Sequence, residues 1–157
     1  MSVRTSGALW QFFAALFIIA LALNWLWEMI QMPAYSTTAG KSWRSMLLLC
    51  TIASLGDAAV TLGIFAVSAL ATRRWRWAAQ AKWKHYVGIA LLSAAAAVII
   101  EKTASPLGLW AYSSRMPIVP ALRVGLWPLL QLTLLVPLAV AVAAWWSRRA
   151  AGSDASG

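Results

Sequence analysis

Acidic residues are scarce in this chain, whose 157 residues include four of them against 13 lysines and arginines. The single cysteine, Cys50, excludes an intramolecular disulfide and any metal or iron–sulfur site built from several cysteines. The single histidine, His85, likewise excludes bis-histidine haem and histidine-rich zinc or di-iron sites. These absences predict a protein without a metal site, and nothing in the sequence indicates another cofactor.

Charge of either sign is low and apolar content is high. Charged residues make up 11% of the chain and hydrophobic residues 62%, whereas a soluble domain has roughly 25% and 45–50%. Four segments are long enough to cross a bilayer, which takes about 20 apolar residues. We therefore expect an all-α fold, a polytopic bundle of four transmembrane helices. The single domain should span residues 1–149, with helices at about 8–32, 46–71, 79–101 and 125–146, before a disordered tail at 150–157.

Basic residues mark the connection between the second and third helices, where residues 73–77 read Arg-Arg-Trp-Arg-Trp, and the end of the fourth helix, at Arg148 and Arg149. The positive-inside rule places this connection and the end of the fourth helix in the cytoplasm, and the even helix count places the N-terminus there too. We expect a multi-pass protein of a bacterial inner membrane. Tryptophan beside arginine is ordinary interfacial anchoring, so no nucleic-acid partner is expected. The first helix lacks a cleavage site and should be retained rather than removed as a signal peptide.

The two remaining connections, residues 33–45 and 102–124, should then lie outside the cell. The second is long for a helical bundle and contains three prolines together with Trp110, Tyr112 and Met116. This composition is too stiff and apolar for a flexible linker. It predicts a structured lid or a re-entrant segment.

Three of the four acids, Glu28, Asp57 and Glu101, lie within or at the end of an apolar segment. Acids at membrane depth are costly and usually face a cavity or a partner, so these three are the candidate catalytic residues. Each of the three also has a purely structural interpretation. Glu28 and Glu101 would then be interfacial residues whose side chains reach water, and Asp57 would form hydrogen bonds within the bundle. The fourth acid, Asp154, falls in the expected tail.

Helical spacing places further polar residues near Glu28. Asn24 and Gln31 share its face of the first helix, because residues three or four apart are neighbours. Depth along the helices predicts a polar layer in the outer half that also includes Glu101 and Gln131, with Asp57 beneath it. The expected substrate-binding residues are Asn24, Trp25, Trp27, Gln31, Trp110, Tyr112 and Gln131.

The stretch Asn24-x-x-Trp27-Glu28 resembles the Asn-x-x-Trp-Glu signature in an early helix of the integral-membrane meroterpenoid (terpene) cyclases of fungi and some bacteria. The resemblance covers five positions, and those cyclases have more helices than this chain. It implies that Glu28 protonates an epoxide or alkene, and that aromatic side chains guide the resulting carbocation. Asp57 and Glu101 are candidates for the second acid by chemistry alone. The wider sequence pattern also resembles small bacterial membrane proteins, a likeness that implies no function.

Three functions remain open. The first is an enzyme, an acid-initiated cyclase or isomerase of a lipophilic isoprenoid-type molecule, in which a desolvated carboxylic acid keeps its proton and serves as general acid. The second is a small oligomeric proton-coupled transporter, which needs a polar route from Asp57 to the cytoplasm. The third is an accessory or assembly subunit of a larger membrane complex. A cavity that contains all three acids would favour the enzyme.

Overall fold

The computed structural model describes residues 3–75 and 77–153, and within them the fold is all-α apart from one short β-hairpin. The helices are α1 (Val3–Gln31), α2 (Trp43–Thr72), α3 (Trp83–Ala104) and α4 (Leu126–Ser153). Three single 3₁₀ turns occupy Met32–Ala34, Ser36–Thr38 and Trp77–Gln80, and the hairpin pairs β1 (Ile118–Val119) with β2 (Val124–Gly125) in antiparallel register.

All four helices are long and apolar enough to cross a membrane, over Leu9–Ala34, Trp43–Thr72, Trp83–Ala104 and Leu126–Ala150. The expectation of an all-α protein with four such helices is thereby confirmed. The bounds of the helices differ from the expected ones in detail, and α1 and α2 begin earlier, at Val3 and Trp43. The third helix begins at Trp83 rather than near residue 79, because a 3₁₀ turn precedes it. Residues 150–153 of the expected tail continue α4, while 154–157 and Arg76 lie outside the described residues.

Local sequence explains where the helices begin and end. α1 stops at Gln31, two residues before Pro33, because proline disfavours helical geometry in the residue preceding it. α2 begins after Ser42, whose hydroxyl accepts a hydrogen bond of 3.3 Å from the Ser45 N–H. It ends at Thr72, and the cap residue that follows, Arg73, adopts the left-handed conformation with φ of 52°.

The helices follow one another around the bundle in the order α2, α1, α4, α3. α1 packs along both α2 and α4, and α4 packs along α3, whereas α2 and α3 contact each other little. The apolar core lies along the α1–α4 contact and toward the end of the bundle that carries the Trp77 turn. Its fully buried side chains include Leu16, Phe65, Val136 and Val140.

At the opposite end, the α1–α2 and α3–α4 connections are joined by backbone hydrogen bonds. The Ser36 N–H donates to the Ala111 carbonyl and the Ser113 N–H to the Ala34 carbonyl, each at 2.9 Å. A β-bridge pairs Tyr35 with Tyr112 between these bonds. We call the joined segments, residues 32–42 and 105–125, the roof. These hydrogen bonds and the β1–β2 hairpin link the long α3–α4 connection to the α1–α2 connection.

Candidate functional site

A cavity of about 630 Å³ lies beneath the roof, between α2 and α3. This volume is typical of small-molecule sites. Leu49 and Ile52 of α2 line the cavity and remain 41% and 58% exposed, and α2 and α3 contact each other little, so the cavity is incompletely closed on the side between these two helices. Most of its lining is apolar, from residues such as Ala53, Val60, Ala97, Ile100, Leu109 and Leu132.

All three candidate acids line this one cavity. Glu28 and Asp57 are partly exposed to it, whereas Glu101 is buried to 4% exposure. They come from three different helices, α1, α2 and α3. The fold therefore brings together carboxyls that are distant in the sequence.

Gln131 of α4 connects two of these carboxyls. Its Nε2 lies 2.8 Å from Oδ2 of Asp57, 3.1 Å from Oε1 of Glu28 and 3.0 Å from Oδ1 of Asn24. Because both carboxyl oxygens bind the same nitrogen, they are within about 6 Å of each other, the range in which like charges interact strongly. Asp57 is thus a direct neighbour of Glu28 rather than a residue in a separate layer beneath it.

The hydrogens of this cluster can be counted. A glutamine amide has two N–H hydrogens, and the Gln131 nitrogen faces three acceptors. Gln31 uses both of its own hydrogens, on Oε1 of Glu28 and Oε1 of Gln131, each at 2.8 Å. Gln131 can therefore donate to only two of its three neighbours at a time, and Glu28 is the one that also accepts a hydrogen from Gln31.

Trp27 fixes the direction of these hydrogen bonds. Its Nε1 donates to Oε1 of Gln31 at 3.1 Å, and an indole N–H can only donate. The Gln31 nitrogen consequently points to Glu28 and to the Gln131 oxygen, which turns the Gln131 nitrogen toward the carboxyls. Asn24 is held in turn, because its Nδ2 donates to the Ala20 carbonyl at 2.8 Å.

Glu101 lies apart from this cluster, on the α3 side of the cavity. Among the described residues, its Oε2 has no hydrogen-bond partner, and neither has the buried Nε1 of Trp110 in the roof. The Trp110 indole N–H is nevertheless the hydrogen-bonding neighbour of the Glu101 carboxyl, with looser geometry than the hydrogen bonds around Gln131. The predicted single layer therefore divides into a hydrogen-bonded cluster around Gln131 and a separate pair, Glu101 and Trp110.

Tyr35 and Lys41 of the roof also line the cavity. Burial raises the pKa of the Tyr35 phenol above its ordinary value, and the negative charges of Glu101, Glu28 and Asp57 add to that rise. The hydroxyl therefore remains a hydrogen-bond donor at neutral pH. Sequence reasoning did not include either residue in the site, and the signal for Tyr35 was its position immediately after the break at Pro33.

The expected substrate-binding residues separate into three groups. Trp110 and Gln131 line the cavity, whereas Asn24 and Gln31 are buried beside it in the amide cluster. Three more lie elsewhere, and none of them lines the cavity. Trp27 packs edge-on against Trp127, Trp25 is 38% exposed, and the Tyr112 hydroxyl accepts a hydrogen bond from the Gly125 N–H at 3.0 Å.

Below Asp57 the described residues offer little for proton movement. Farther along α2 the hydroxyls of Thr61 and Ser68 each donate to the carbonyl four residues earlier, and Ser93 of α3 does the same in its own helix. The apolar core extends past these hydroxyls toward the far end of the bundle. Within residues 3–75 and 77–153, a polar route from the cavity to the far end of the bundle is therefore not formed.

Among the same residues, no cluster of three or more histidine, cysteine, aspartate or glutamate side chains is arranged to hold a metal ion. Comparison of the chain with protein-family models, with curated proteins and with solved structures gives no match.

Proposed function

We propose that this chain is an integral membrane enzyme that isomerises or cyclises a lipophilic, isoprenoid-type molecule by acid–base chemistry. The observation that carries the proposal is the pairing of Glu28 and Asp57 on one amide nitrogen, at the edge of a largely apolar cavity. Two neighbouring carboxyls with different surroundings are the usual means by which one site both gives and takes a proton.

The shape of the cavity supports a lipophilic substrate. It is open between α2 and α3, and the residues at that opening, Leu49 and Ile52, are apolar. With the four helices across a bilayer, this opening faces acyl chains rather than water. A hydrophobic molecule then reaches the carboxyls from the membrane without crossing an aqueous phase.

In the proposed reaction one carboxyl of the pair donates its proton to an alkene carbon, and the π electrons of the double bond form the new C–H bond. A carbocation results, and the faces of Tyr35 and Trp110 in the cavity lining stabilise positive charge. Loss of a proton from a neighbouring carbon to a carboxylate re-forms a double bond. The proton is regained, so the reaction is balanced without an oxidant or a reductant.

The proposed orientation puts both termini in the cytoplasm of a bacterium and the roof outside its inner membrane. The basic residues Arg73, Arg74, Arg148 and Arg149 lie at the two helix ends away from the roof, and cytoplasmic ends are enriched in lysine and arginine. The acid cluster would then lie in the outer half of the bilayer.

The sideways opening also favours a second candidate, an accessory subunit of a larger membrane complex or a homo-oligomer. A partner helix fits a gap between two helices as well as a lipid does. Cross-linking from Ile52→Cys in native membranes, with Cys50→Ser to remove the natural thiol, tests this alternative. A cross-linked protein partner or dimer favours it, and cross-linking only to lipid supports the enzyme.

The enzyme is tested with purified protein in liposomes that contain host lipid extract and isoprenoid additives, in deuterium oxide. The wild type should place solvent deuterium on carbon in one lipid species. Glu28→Gln and Asp57→Asn keep the shape and the acceptor oxygens but cannot carry the proton, and each should reduce incorporation by about 100-fold or more. Thr51→Val, on the exposed face of α2, is the matched control. Full activity in both carboxyl variants would rule the proposal out.

A further inference from the structure

A second pocket, of about 180 Å³, lies where α1, α4 and the roof meet. Its lining consists of Trp27, Ile30, Gln31, Pro33, Ala34, Arg115 and Trp127. Among the described residues, none lines both this pocket and the cavity that contains the three acids. Arg115 is the one charged residue in the described lining, so the pocket combines an apolar wall with a single cation.

The roof holds the backbone of Arg115 beside the pocket. Ser113 donates from its N–H to the Ala34 carbonyl at 2.9 Å and from its hydroxyl to the Pro33 carbonyl at 3.0 Å. The Arg115 N–H donates in turn to the Ser113 hydroxyl at 3.2 Å. The Arg115 side chain is exposed, and within the described residues it forms no ion pair and no hydrogen bond. The five N–H donors of its guanidinium are therefore available to a ligand.

Trp27 differs from an ordinary interfacial anchor. A tryptophan at a membrane surface usually directs its indole N–H toward the wet side. Trp27 instead donates from Nε1 inward, to Oε1 of the buried Gln31. Its ring packs edge-on against Trp127, with the ring centroids 6.2 Å apart. The part of Trp27 that lines the pocket is consequently apolar.

We propose that this pocket binds a membrane phospholipid, with the phosphate on the Arg115 guanidinium and part of an acyl chain against Trp27 and Trp127. With the four helices across a bilayer, the pocket lies near the head groups, because Trp27 is one turn before the end of α1 and Trp127 is the second residue of α4. Ile30 lines the pocket and is 67% exposed, so the pocket is open toward the surrounding lipid. This binding site does not depend on the proposed function.

A phosphate carried by a lipid fits the pocket better than a free phosphate ion. A guanidinium binds phosphate through two parallel hydrogen bonds, and none of the described carboxyls lines the pocket to repel it. A free ion would leave the indole rings and Ile30 uncovered, whereas a lipid covers them with its chain. The larger cavity has three carboxyls and one lysine, Lys41, in its lining, so an anionic lipid should prefer the smaller pocket.

Photo-cross-linking tests the site in the purified full-length chain. The protein is kept in dodecyl maltoside micelles, which contain no phosphate, and is mixed with a phosphatidylglycerol that carries a diazirine near the glycerol end of one acyl chain. Mass spectrometry should map the cross-links to α1 near Trp27 and Ile30 and to α4 near Trp127. Unlabelled dioleoylphosphatidylglycerol should compete about tenfold more strongly than dioleoylglycerol, which has the same chains without phosphate. Inorganic phosphate at the concentration of the lipid should not compete.

Substitutions of Arg115 assign the phosphate contact. Arg115→Gln should reduce cross-linking at the pocket about tenfold and abolish the preference over dioleoylglycerol. Arg115→Lys keeps the charge without the paired donors and should retain part of the preference. Arg44→Gln is the matched control, because Arg44 is exposed on the first turn of α2 and lines neither cavity. Cross-links at the basic end, near Arg73 and Arg74, should persist in every variant and serve as an internal standard.

Cross-links confined to the basic end, or equal competition by dioleoylglycerol, would overturn the proposed lipid site. A cross-linking pattern that Arg115→Gln leaves unchanged would overturn it as well. Competition by inorganic phosphate as strong as that by the phospholipid would show a site for a free anion and exclude the lipid. If Arg115→Gln loses the cross-links at the basic end too, the variant is unfolded, and the competition measured with the wild type decides.

Discussion

Trp27 donates a hydrogen bond of 3.1 Å from its indole nitrogen to Oε1 of Gln31, one helical turn further along α1. Trp27 does not line the cavity; it lies in a smaller pocket beside Trp127. Through Gln31 it nevertheless determines which atoms of Gln131 face the carboxyls. A residue outside the cavity thus orients the polar groups inside it.

Replacing Trp27 tests this orientation. Trp27→Phe keeps an aromatic ring but removes the indole N–H that donates to the Gln31 oxygen. The Gln31 amide can then turn by about 180°, so that its oxygen and nitrogen exchange positions. We expect a loss of about 1 kcal/mol in the free energy of unfolding and a roughly tenfold fall in deuterium incorporation. Trp127→Phe, in the same aromatic pair, should leave incorporation unchanged. Equal effects of the two variants would contradict the orienting role.

Removing the shared amide should have a larger effect. Gln131→Leu leaves Asp57 without its hydrogen-bond donor and deprives Glu28 of one of two. Unpaired buried acceptors cost about 1–3 kcal/mol each, so denaturant titration in mixed micelles should show a loss in that range. The control is Thr133→Val on α4, whose hydroxyl bonds only to the Leu129 carbonyl of the same helix. A loss no greater than that of the control would show that the amide does not hold the carboxyls together.

Filling the cavity should prevent binding without unfolding the bundle. Gly56 of α2 lines the cavity, and a Cβ at this position would meet no atom within 4 Å. Gly56→Leu should reduce deuterium incorporation by about tenfold or more, since each added carbon takes the room of a matching part of the substrate. Gly63, on the same helix, has equal space but does not line the cavity. Gly63→Leu should therefore bind normally, and a ligand unaffected by Gly56→Leu would have to bind elsewhere.

Tyr35 should make stability depend on pH at the alkaline end. Its pKa in the folded protein is raised above the ordinary value of 10.0 by burial, so the unfolded chain loses this proton first. The stabilising contribution is complete below about pH 10 and declines as the pH rises further, by at most about 1.4 kcal/mol per pH unit. Tyr35→Phe cannot ionise there, so its free energy of unfolding should fall less steeply. Parallel curves for the two proteins above pH 10 would contradict the prediction.

The roof should depend on a small residue at Gly125. A Cβ at Gly125 would lie 2.9 Å from Sδ of Met116 and 3.0 Å from the Tyr112 hydroxyl, so Gly125→Ala must displace one of them. We expect a loss of about 1–3 kcal/mol and faster tryptic cleavage at Arg115 and Arg123. Gly88→Ala on α3, which meets no neighbour within 4 Å, should not destabilise the protein. Unchanged cleavage in Gly125→Ala would show that the roof tolerates the extra methyl group.

Much of the fold could be predicted from the sequence, because crossing a bilayer requires long apolar helices and Pro33 fixes one of their ends. The approach of Asn24, Glu28 and Gln31 also follows from helical spacing alone, and the hydrogen bond from Gln31 to Glu28 agrees with it. Contacts between residues of different helices are harder to predict. Depth counted along α2 could not show that Asp57 shares a nitrogen with Glu28, since the relative heights of two helices depend on how they pack.

A pocket near the acids was expected, but its position between α2 and α3 could not be predicted for the same reason. Four helices can follow one another around a bundle in several orders, and the sequence does not show which neighbouring pair is left with little contact, here α2 and α3. The sequence also could not show whether the side chains of Trp25 and Tyr112 face the cavity. Aromatic residues near an acid are as suited to holding a roof together as to binding a ligand, and Tyr112 packs against Tyr35 in the roof.

The sparse contact between α2 and α3 has a consequence for the environment of the protein. Elsewhere in the bundle, separating two helices would expose tightly packed side chains, but separating these two disrupts little. In a bilayer, acyl chains would fill the gap and form the remaining boundary of the cavity. Lipid composition then acts as a variable of the site, so chain length and packing pressure in the surrounding membrane help to set how much volume a ligand finds there.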